Sequence, residues 1–335
     1  MASLKLRRPR KTLSLEDMTY LSKLLKTNLS ISECFELLGN KDNVHIFRQI
    51  REKLAEGEMI ESIMTAYLPK QLRSYLESLL KYLPFSEALS LSLEFCSRQN
   101  ESQDSLLGTI AYPCILLFIT VTSLYLFDLY GLDSMFDLMG NFSPDIAIYG
   151  DIRIVFRIMI NIIYYGFLIG VLGFIYMKQP KRIVMLYILI SKHLGNSLFN
   201  LYYSEQFMSL LLICHRQGFK TRESLQILKS MKSKPIVSFL AFHLDDGLSK
   251  GDTMKEAAQK DYYDSSLSRY IKMAGYTNDF ANIIASYLDV ARERIRNKMK
   301  MYALTIQICT YGFIGAVIVF IYQLLFMPMQ AITLF

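Results

Sequence analysis

The side chains best suited to catalysis or metal binding in this sequence are four histidines and one pair of adjacent carboxylates. The histidines are scattered, without a His-Glu-x-x-His pattern and without a cysteine at zinc-site spacing. They are His45, His193, His215 and His243. Asp245 and Asp246 are neighbours, and adjacent residues of a helix point about 100° apart. We therefore interpret them as parts of a solvated helix face and not as a catalytic pair.

Nucleotide and thiol chemistry have no better support in the sequence. No Gly-x-x-x-x-Gly-Lys-Ser/Thr sequence is present, so the chain has no P-loop of its own. Its five cysteines include no Cys-x-x-Cys pair. Cys114 and Cys309 lie in apolar segments, where small apolar packing is the simpler interpretation. We predict no catalytic, cofactor-binding or metal-ligating residue, and we expect the protein not to be an enzyme.

The apolar residues of the chain are concentrated in three segments. Of its 335 residues, 52% are hydrophobic and 20% are charged, which is too apolar for an ordinary soluble enzyme and too charged for a pure membrane bundle. Each segment is about long enough to cross the hydrocarbon core as a helix of roughly 20 residues. We predict three transmembrane helices, at residues 109–130, 154–178 and 301–327. The apolar run 183–190 is too short to cross and is interpreted as the start of a buried helix.

The charged residues around these segments predict the orientation of the chain. Basic clusters lie near the N-terminus, after the second segment and before the third, whereas the connection between the first two segments is acidic. The basic residues are Arg7, Arg8, Arg10, Lys11, Lys178, Lys181, Arg182, Arg292, Arg294, Arg296, Lys298 and Lys300, and the acidic ones are Asp133, Asp137, Asp145 and Asp151. The positive-inside rule then places residues 1–108 and 179–300 in the cytoplasm. Residues 131–153 and the tail 328–335 are expected outside, in a multi-pass protein of the cytoplasmic membrane without a signal peptide.

Charged and small residues inside the apolar segments offer further interpretations. Asp128 and Arg157 lie near the outer boundary, where long side chains reach the interface; the alternative is a proton path. Glycines fall on or near one face of the second segment and recur in the third, which permits close helix packing and favours a homo-oligomer. They are Gly166, Gly170, Gly173, Gly312 and Gly315.

A polar segment occurs twice, about 190 residues apart. Residues 24–38 align with residues 214–228, and further on Gly57 aligns with Gly251 and Tyr75 with Tyr270. The offset drifts by only about five residues, as one small insertion explains, and a period this long indicates duplication of a whole domain. Each copy has apolar residues at helical spacing and leads into an apolar segment. We predict an all-α membrane protein with two repeated cytoplasmic six-helix bundle domains and three transmembrane helices.

Local signals support the helices of this prediction. Ser14-x-x-Asp17 and Thr253-x-x-Glu256 are typical capping boxes, and Pro235 suits a first helical turn. Gly57 and Gly251 suit the left-handed residue that ends a helix. An apolar stripe runs through a basic helix into the third apolar segment, so motion of the second domain would pass into the bilayer. The stripe comprises Ile284, Tyr287, Leu288, Ala291, Ile295, Met299 and Tyr302.

The order of these segments, together with the string SLLGTIAYP at the entry to the first span, resembles the type II secretion F family. In that string Leu106, Ile110, Tyr112 and Pro113 fit the pattern of the family, and Pro328 matches its proline at the end of the third span. The second copy departs from the pattern, because Gly275-Tyr276 stands where Gly-Glu is usual. The compact length and near-absent tail are most similar to the competence-pilus platform branch of Gram-positive bacteria.

The resemblance implies a non-enzymatic membrane platform. Its cytoplasmic domains would bind a secretion or assembly ATPase, and its membrane helices would hold pilin or pseudopilin subunits during filament assembly. The alternative is a small polytopic transporter or channel component. The net charge of +7 is attributed to contact with membrane lipid and not with nucleic acid, because no basic stripe is interleaved with stacking aromatics.

Overall fold

The computed structural model is all-helical wherever it describes the chain, in agreement with the predicted all-α class. It describes residues 12–27, 29–39, 43–134, 147–177, 179–193, 197–259, 262–276 and 279–333, and no strand forms within these ranges. The basic residues 7–11, Lys178 and the outer aspartates Asp137 and Asp145, all used in the orientation argument, lie outside the described residues.

The helices fall into two series separated by a long apolar helix. The first series comprises α1 (Leu15–Leu24), α2 (Ile31–Leu38), α3 (Val44–Ala55), α4 (Ile60–Tyr67), α5 (Lys70–Leu79) and α6 (Phe85–Leu126), which passes into a π-helical turn at Phe127–Leu132. Helices α7 (Ala147–Met177) and α8 (Pro180–His193) follow. The second series comprises α9 (Leu198–Arg216), α10 (Thr221–Lys229), α11 (Pro235–Ser249), α12 (Met254–Ala257), α13 (Leu267–Tyr276) and α14 (Phe280–Thr333).

The local signals for helix ends are confirmed. Ser14 and Asp17 form a reciprocal capping box, in which the Asp17 amide donates to Ser14 Oγ at 3.0 Å. The same box forms between Thr253 and Glu256 at the start of α12. Pro235 occupies the first turn of α11. Two residues after the ends of α3 and α11, the backbone adopts positive φ angles, 86° at Gly57 and 93° at Gly251. Glycine suits both positions, because it has no Cβ to oppose this conformation.

The two series match at several aligned positions. Helices α6 and α14 both begin at phenylalanines, Phe85 and Phe280. At the start of α2 and α10, the aligned carboxylates of Glu33 and Glu223 accept a backbone N–H from the capping residue, at 2.7 and 3.0 Å. Other aligned pairs share their burial: Phe35 and Leu225, like Leu72 and Leu267, are buried, and Leu54 and Leu248 are half-buried.

Contacts divide the chain into two compact units. The first unit comprises Met1–Gln103 and Ile183–Glu293, so most of the two predicted cytoplasmic domains pack together in one unit. Its core includes Tyr75 of the first series, whose ring meets that of Phe95 edge-on at 5.5 Å. The two series also touch through polar groups, since Ser78 Oγ donates to the carbonyl of Ser230 at 3.3 Å.

The apolar stripe predicted on α14 is largely confirmed in the first unit and just beyond it. Six of its seven members are buried, and they recur every three or four residues along the helix: Ile284, Tyr287, Leu288, Ala291, Ile295 and Met299. Tyr302 is the exception, because 46% of it is exposed. The buried face continues to Ala303, four residues after Met299 and inside the segment that was predicted to cross the membrane.

The second unit, Asp104–Arg182 with Arg294–Phe335, contains the apolar helices. Within the described residues, two segments are long and apolar enough to cross a membrane, judged by length and composition: Ala111–Gly131 in α6 and the apolar part of Phe280–Val319 in α14. The second predicted span shows a shorter apolar stretch, Arg157–Gly173, inside the 31-residue helix α7. Two of the three predicted spans thus meet these criteria. Helix α14 also continues past Pro328, to Thr333.

Candidate functional site

The strongest polar feature of the first unit is a buried carboxylate surrounded by basic side chains. Glu205 lies on α9 and is 3% exposed. Arg292, on α14, donates from Nε to Glu205 Oε1 at 2.8 Å. Two more cations act on the same carboxylate through space, Arg98 from α6 and Lys234 from the residue before α11. We call Arg98, Glu205, Lys234 and Arg292 the charge cluster.

Neutral polar side chains and a small cavity complete the surroundings of the charge cluster. Lys234 Nζ donates to Gln206 Oε1 at 3.2 Å, and the Tyr75 hydroxyl donates to Gln99 Oε1 at 2.6 Å. Between these groups lies a cavity of about 20 Å³, which suits a single water molecule. Tyr75 of α5 and Gln99 of α6 therefore line the same cavity as Glu205 and Gln206 of α9.

Burial and charge oppose each other within the charge cluster. Burial raises the pKa of the Glu205 carboxyl, whereas Arg292, Arg98 and Lys234 act to lower it. Burial also lowers the pKa of the Lys234 ammonium to about 8, although Cys96 and Glu205 oppose this. Because charges in a protein interior are costly unless they are paired, these residues hold each other in place. The arrangement is suited to fixing α14 against α9.

A second ion-pair cluster lies in the second unit, at the end of α6. Arg157 of α7 donates from Nη2 to Asp133 at 2.8 Å, and its Nε lies 3.4 Å from Asp128 Oδ1. The two charges that were predicted to anchor separately at the interface therefore meet each other. Asp128 is 3% exposed, so it is held inside the protein and does not point into the surroundings.

The π-helical turn Phe127–Leu132 explains how one arginine reaches two aspartates. Residues five apart lie about 140° from each other around an α-helix, at roughly 100° per residue. A π-helix pairs residues i and i+5 and so brings them to nearly the same side. Asp128 and Asp133 are five residues apart and both contact Arg157. A Cβ at Gly131 would lie 2.7 Å from the ring of Phe127, so a larger residue there would require this ring to shift.

The structure separates the residues considered for catalysis or metal binding. Asp245 pairs with Lys229 at 2.6 Å and Asp246 with Lys250 at 2.6 Å, so the adjacent carboxylates point to different partners, as the helical interpretation predicts. Histidines make local contacts: His193 Nδ1 lies 3.1 Å from the Leu189 carbonyl, and the other rings are half-buried or exposed. Among the described residues, no group of three or more His, Cys, Asp or Glu side chains is placed to hold a metal ion.

Several small residues of the apolar helices have few neighbours within the described chain. Cys114 and Cys309 are exposed in the chain, so the small apolar packing predicted for them is not made inside it and stays a prediction. Gly166, Gly170 and Gly173 of α7 have no neighbouring atom within 4 Å of a Cβ placed on them, and the same holds for Gly312 and Gly315. These glycine faces are therefore not used for packing within the described chain.

A comparison of the sequence with known protein families finds a match over part of the chain. Residues 207–328 match the family Type II secretion system (T2SS), protein F. The match supports the resemblance that the sequence indicates, and it includes Lys234, Arg292 and the apolar part of α14. Glu205 lies two residues before it. No similar sequence was found among curated proteins. A match to this family, in a chain that is helical throughout its described residues and has apolar helices, fits a protein of the inner membrane.

The charge cluster is not predicted by the sequence patterns described above, although the sequence carries one signal for Glu205. Glu205 is the only acidic residue of the 19-residue helix α9, and the residues that follow it are mostly apolar. A single carboxylate at the edge of an apolar run predicts a buried charge with a basic partner. No comparable signal exists for Arg98 or Arg292, because both lie in segments with many charged residues.

Proposed function

We propose that the chain is a non-enzymatic platform protein of the cytoplasmic membrane, in a type II secretion or type IV pilus machine. The observation that carries this proposal is the T2SS protein F match over residues 207–328, which runs from the helical unit into the apolar part of α14. The aligned helix starts, caps and glycines of the two series support duplication of one helical domain. Within this class, the resemblance of the sequence favours the competence-pilus branch, in which filament assembly supports DNA uptake.

The two helices that lead from the first unit into apolar segments suggest how such a platform transmits movement. Helix α6 has 42 residues and α14 has 54, each without a break that ends the helix. At 1.5 Å per residue, α14 is about 80 Å long. An ATPase that binds the helical unit would move α14 through α9, because the Arg292–Glu205 ion pair connects these two helices.

The proposed topology has three spans, a cytoplasmic N-terminus and an extracytoplasmic C-terminus. Two spans rest on α6 and α14, and the third on α7, whose apolar stretch Arg157–Gly173 is extended by further helix at both ends. The ATPase would bind on the cytoplasmic side, and pilin or pseudopilin subunits would contact the membrane helices. The glycine faces left open in α7 and α14 would then serve contacts with pilin or with other copies of the chain.

One observation favours a transporter as the second candidate. The Arg157, Asp128 and Asp133 side chains form a charged group at one end of apolar helices, and charges at such depth are common along transport pathways. A transporter, however, would need polar or broken helices at matching depths in both repeats. Helix α14 instead continues without interruption at the position that corresponds to the end of α6.

Deletion of the gene tests the platform against the transporter. In cells that make a type IV filament, loss of the chain should abolish surface filaments while full-length pilin still accumulates in the membrane, and a plasmid copy should restore them. Filaments at normal number in the deletion strain would contradict the proposed function.

A further inference from the structure

Helix α8 presents an apolar face that nothing in the described chain covers. Met185 and Leu189 lie one turn apart and are 74% and 60% exposed. The opposite face is held by the fold, because Tyr187 and Ser191 are each 1% exposed and Ser191 Oγ donates to Asn200 at 2.7 Å. The expectation of a buried helix start is thus met on one face only.

Basic side chains flank this apolar face. Lys192 and His193 are exposed at the end of α8, three and four residues after Leu189. At the start of the helix, the Arg182 guanidinium lies over the ring of Tyr176 at 3.7 Å from its centroid. A helix with apolar residues in the middle of its free face and cations at both ends has the pattern of helices that lie in the membrane interface.

The connection between α7 and α8 is short, so α8 must begin close to the end of α7. Helix α7 ends at Met177 and α8 begins at Pro180, so two residues join them, a reach of about 10 Å at most. Tyr176, in the last turn of α7, is 61% exposed, and tyrosine is enriched at the membrane–water interface. Since Arg182 stacks on Tyr176, the first turn of α8 lies at the level that Tyr176 marks.

We propose that the face of α8 formed by Met185 and Leu189, with Arg182 and Lys192 at its ends, lies on the cytoplasmic leaflet and binds anionic phospholipid. This inference rests on the part of the proposed function in which α7 crosses the membrane. The short connection favours lipid over a protein partner, because the face starts within reach of the headgroups. The cations favour anionic lipid, since the cytoplasmic leaflet attracts basic residues near its surface. Binding would hold α8, and the buried Tyr187 with it, at a fixed depth.

Tryptophan fluorescence tests the proposal without interference, because the chain contains no Trp. Single variants Met185→Trp and Leu189→Trp are made in the full chain and reconstituted in vesicles of phosphatidylcholine and phosphatidylglycerol. A shallow spin-labelled lipid is then added as the quencher. The matched control is Met59→Trp, at a residue that is 76% exposed next to α4. Both α8 probes should emit at shorter wavelength than the control and be quenched at least twofold more strongly.

Two further measurements make the outcome decisive. Lys192→Gln, added to Leu189→Trp, should reduce the quenching in anionic vesicles towards that in pure phosphatidylcholine. Ile169→Trp, at a residue of α7 that is 68% exposed, reports whether α7 itself lies in lipid, and it is measured with a lipid that is spin-labelled deep in its acyl chain. If this probe is quenched and the α8 probes behave like the Met59 control, the inference fails and the proposed function stands. Short-wavelength emission without quenching would mean that protein covers the face, which also overturns the inference. An unquenched Ile169→Trp would overturn both.

Discussion

Glu205 is more deeply buried than Arg292, and this difference determines which of the two substitutions should destabilise the protein more. The Glu205 side chain is 4% exposed, whereas that of Arg292 is 39% exposed. Removing Glu205 leaves a guanidinium that water reaches, while removing Arg292 leaves a buried carboxylate without its direct hydrogen-bond donor. Arg98 and Lys234 still act on that carboxylate from further away, so they soften the loss of Arg292 but do not replace its hydrogen bond.

The first prediction compares the two partners. Arg292→Met should lower the free energy of unfolding by about 2–4 kcal/mol, and Glu205→Gln by only about 1–2 kcal/mol. Differential scanning fluorimetry of the purified chain in detergent gives the order of the two midpoints. An equal loss, or a larger loss for Glu205→Gln, would show that the carboxylate does not depend on Arg292.

The second prediction concerns Lys234 and pH. Its pKa in the folded protein is about 8, below its ordinary value of 10.5, so between these pH values the unfolded chain binds more protons than the folded one. The contribution of Lys234 to the free energy of unfolding therefore rises as the pH increases from about 8 to 10.5. Below about pH 8 this contribution is absent, because the buried ammonium is charged. Lys234→Met should raise the unfolding midpoint at pH 7 by about 2–4 °C, and its advantage should shrink towards pH 10. A difference that does not change with pH would contradict the lowered pKa.

At the scale of elements, the sequence predicted those features that depend on neighbours along the chain. The capping boxes at Ser14 and Thr253 and the stripe on α14 follow from spacings of three and four residues, which one helix decides for itself. The charge cluster could not be predicted in the same way. Arg98 and Glu205 are more than 100 residues apart in the sequence, and their approach depends on how α6 packs against α9. The π-helical turn, likewise, has no spacing signal, because an α-helix accommodates the same residues.

The third prediction tests α14 as a rigid connection. Replacing residues 297–299 with three glycines should leave membrane insertion and ATPase co-purification intact and stop filament assembly, because consecutive glycines remove helix stiffness locally. The control replaces the same residues with alanines, which also removes the buried Met299 side chain but keeps the helix. Normal filament assembly by the glycine variant would contradict the role of α14 as a rigid connection. Loss of ATPase binding in the glycine variant alone would place this helix in the docking surface.

At the scale of the whole molecule, the predicted class and the segregation of polar and apolar helices agree with the structure. Both follow from the way apolar residues are concentrated in a few segments of the sequence. Two of these segments form long apolar helices in the structure. The packing of Met1–Gln103 with Ile183–Glu293 in one unit was not predicted, since hydrophobic patterns describe each helix face but not the face it meets. Orientation relative to the membrane rests on the distribution of charged residues, some of which lie outside the described ranges, and it stays a prediction.

The fourth prediction concerns that orientation. In intact cells, cysteines introduced at Asn141 and Thr333 should react with an impermeant maleimide, and one at Lys41 should react only after the membrane is permeabilised. The native Cys114 and Cys309 are exposed and should be replaced by alanine first. Labelling of the Lys41 site in intact cells would reverse the proposed topology.

The central claim is that this chain links a cytoplasmic ATPase to pilin subunits in the membrane. The most direct measurement is co-purification of the affinity-tagged chain from native membranes in mild detergent, followed by quantitative mass spectrometry against an untagged strain. The account predicts enrichment of both an assembly ATPase and a pilin or pseudopilin, with the ATPase lost on washing at high salt before the pilin is. Recovery of the intact chain with neither protein enriched would contradict it.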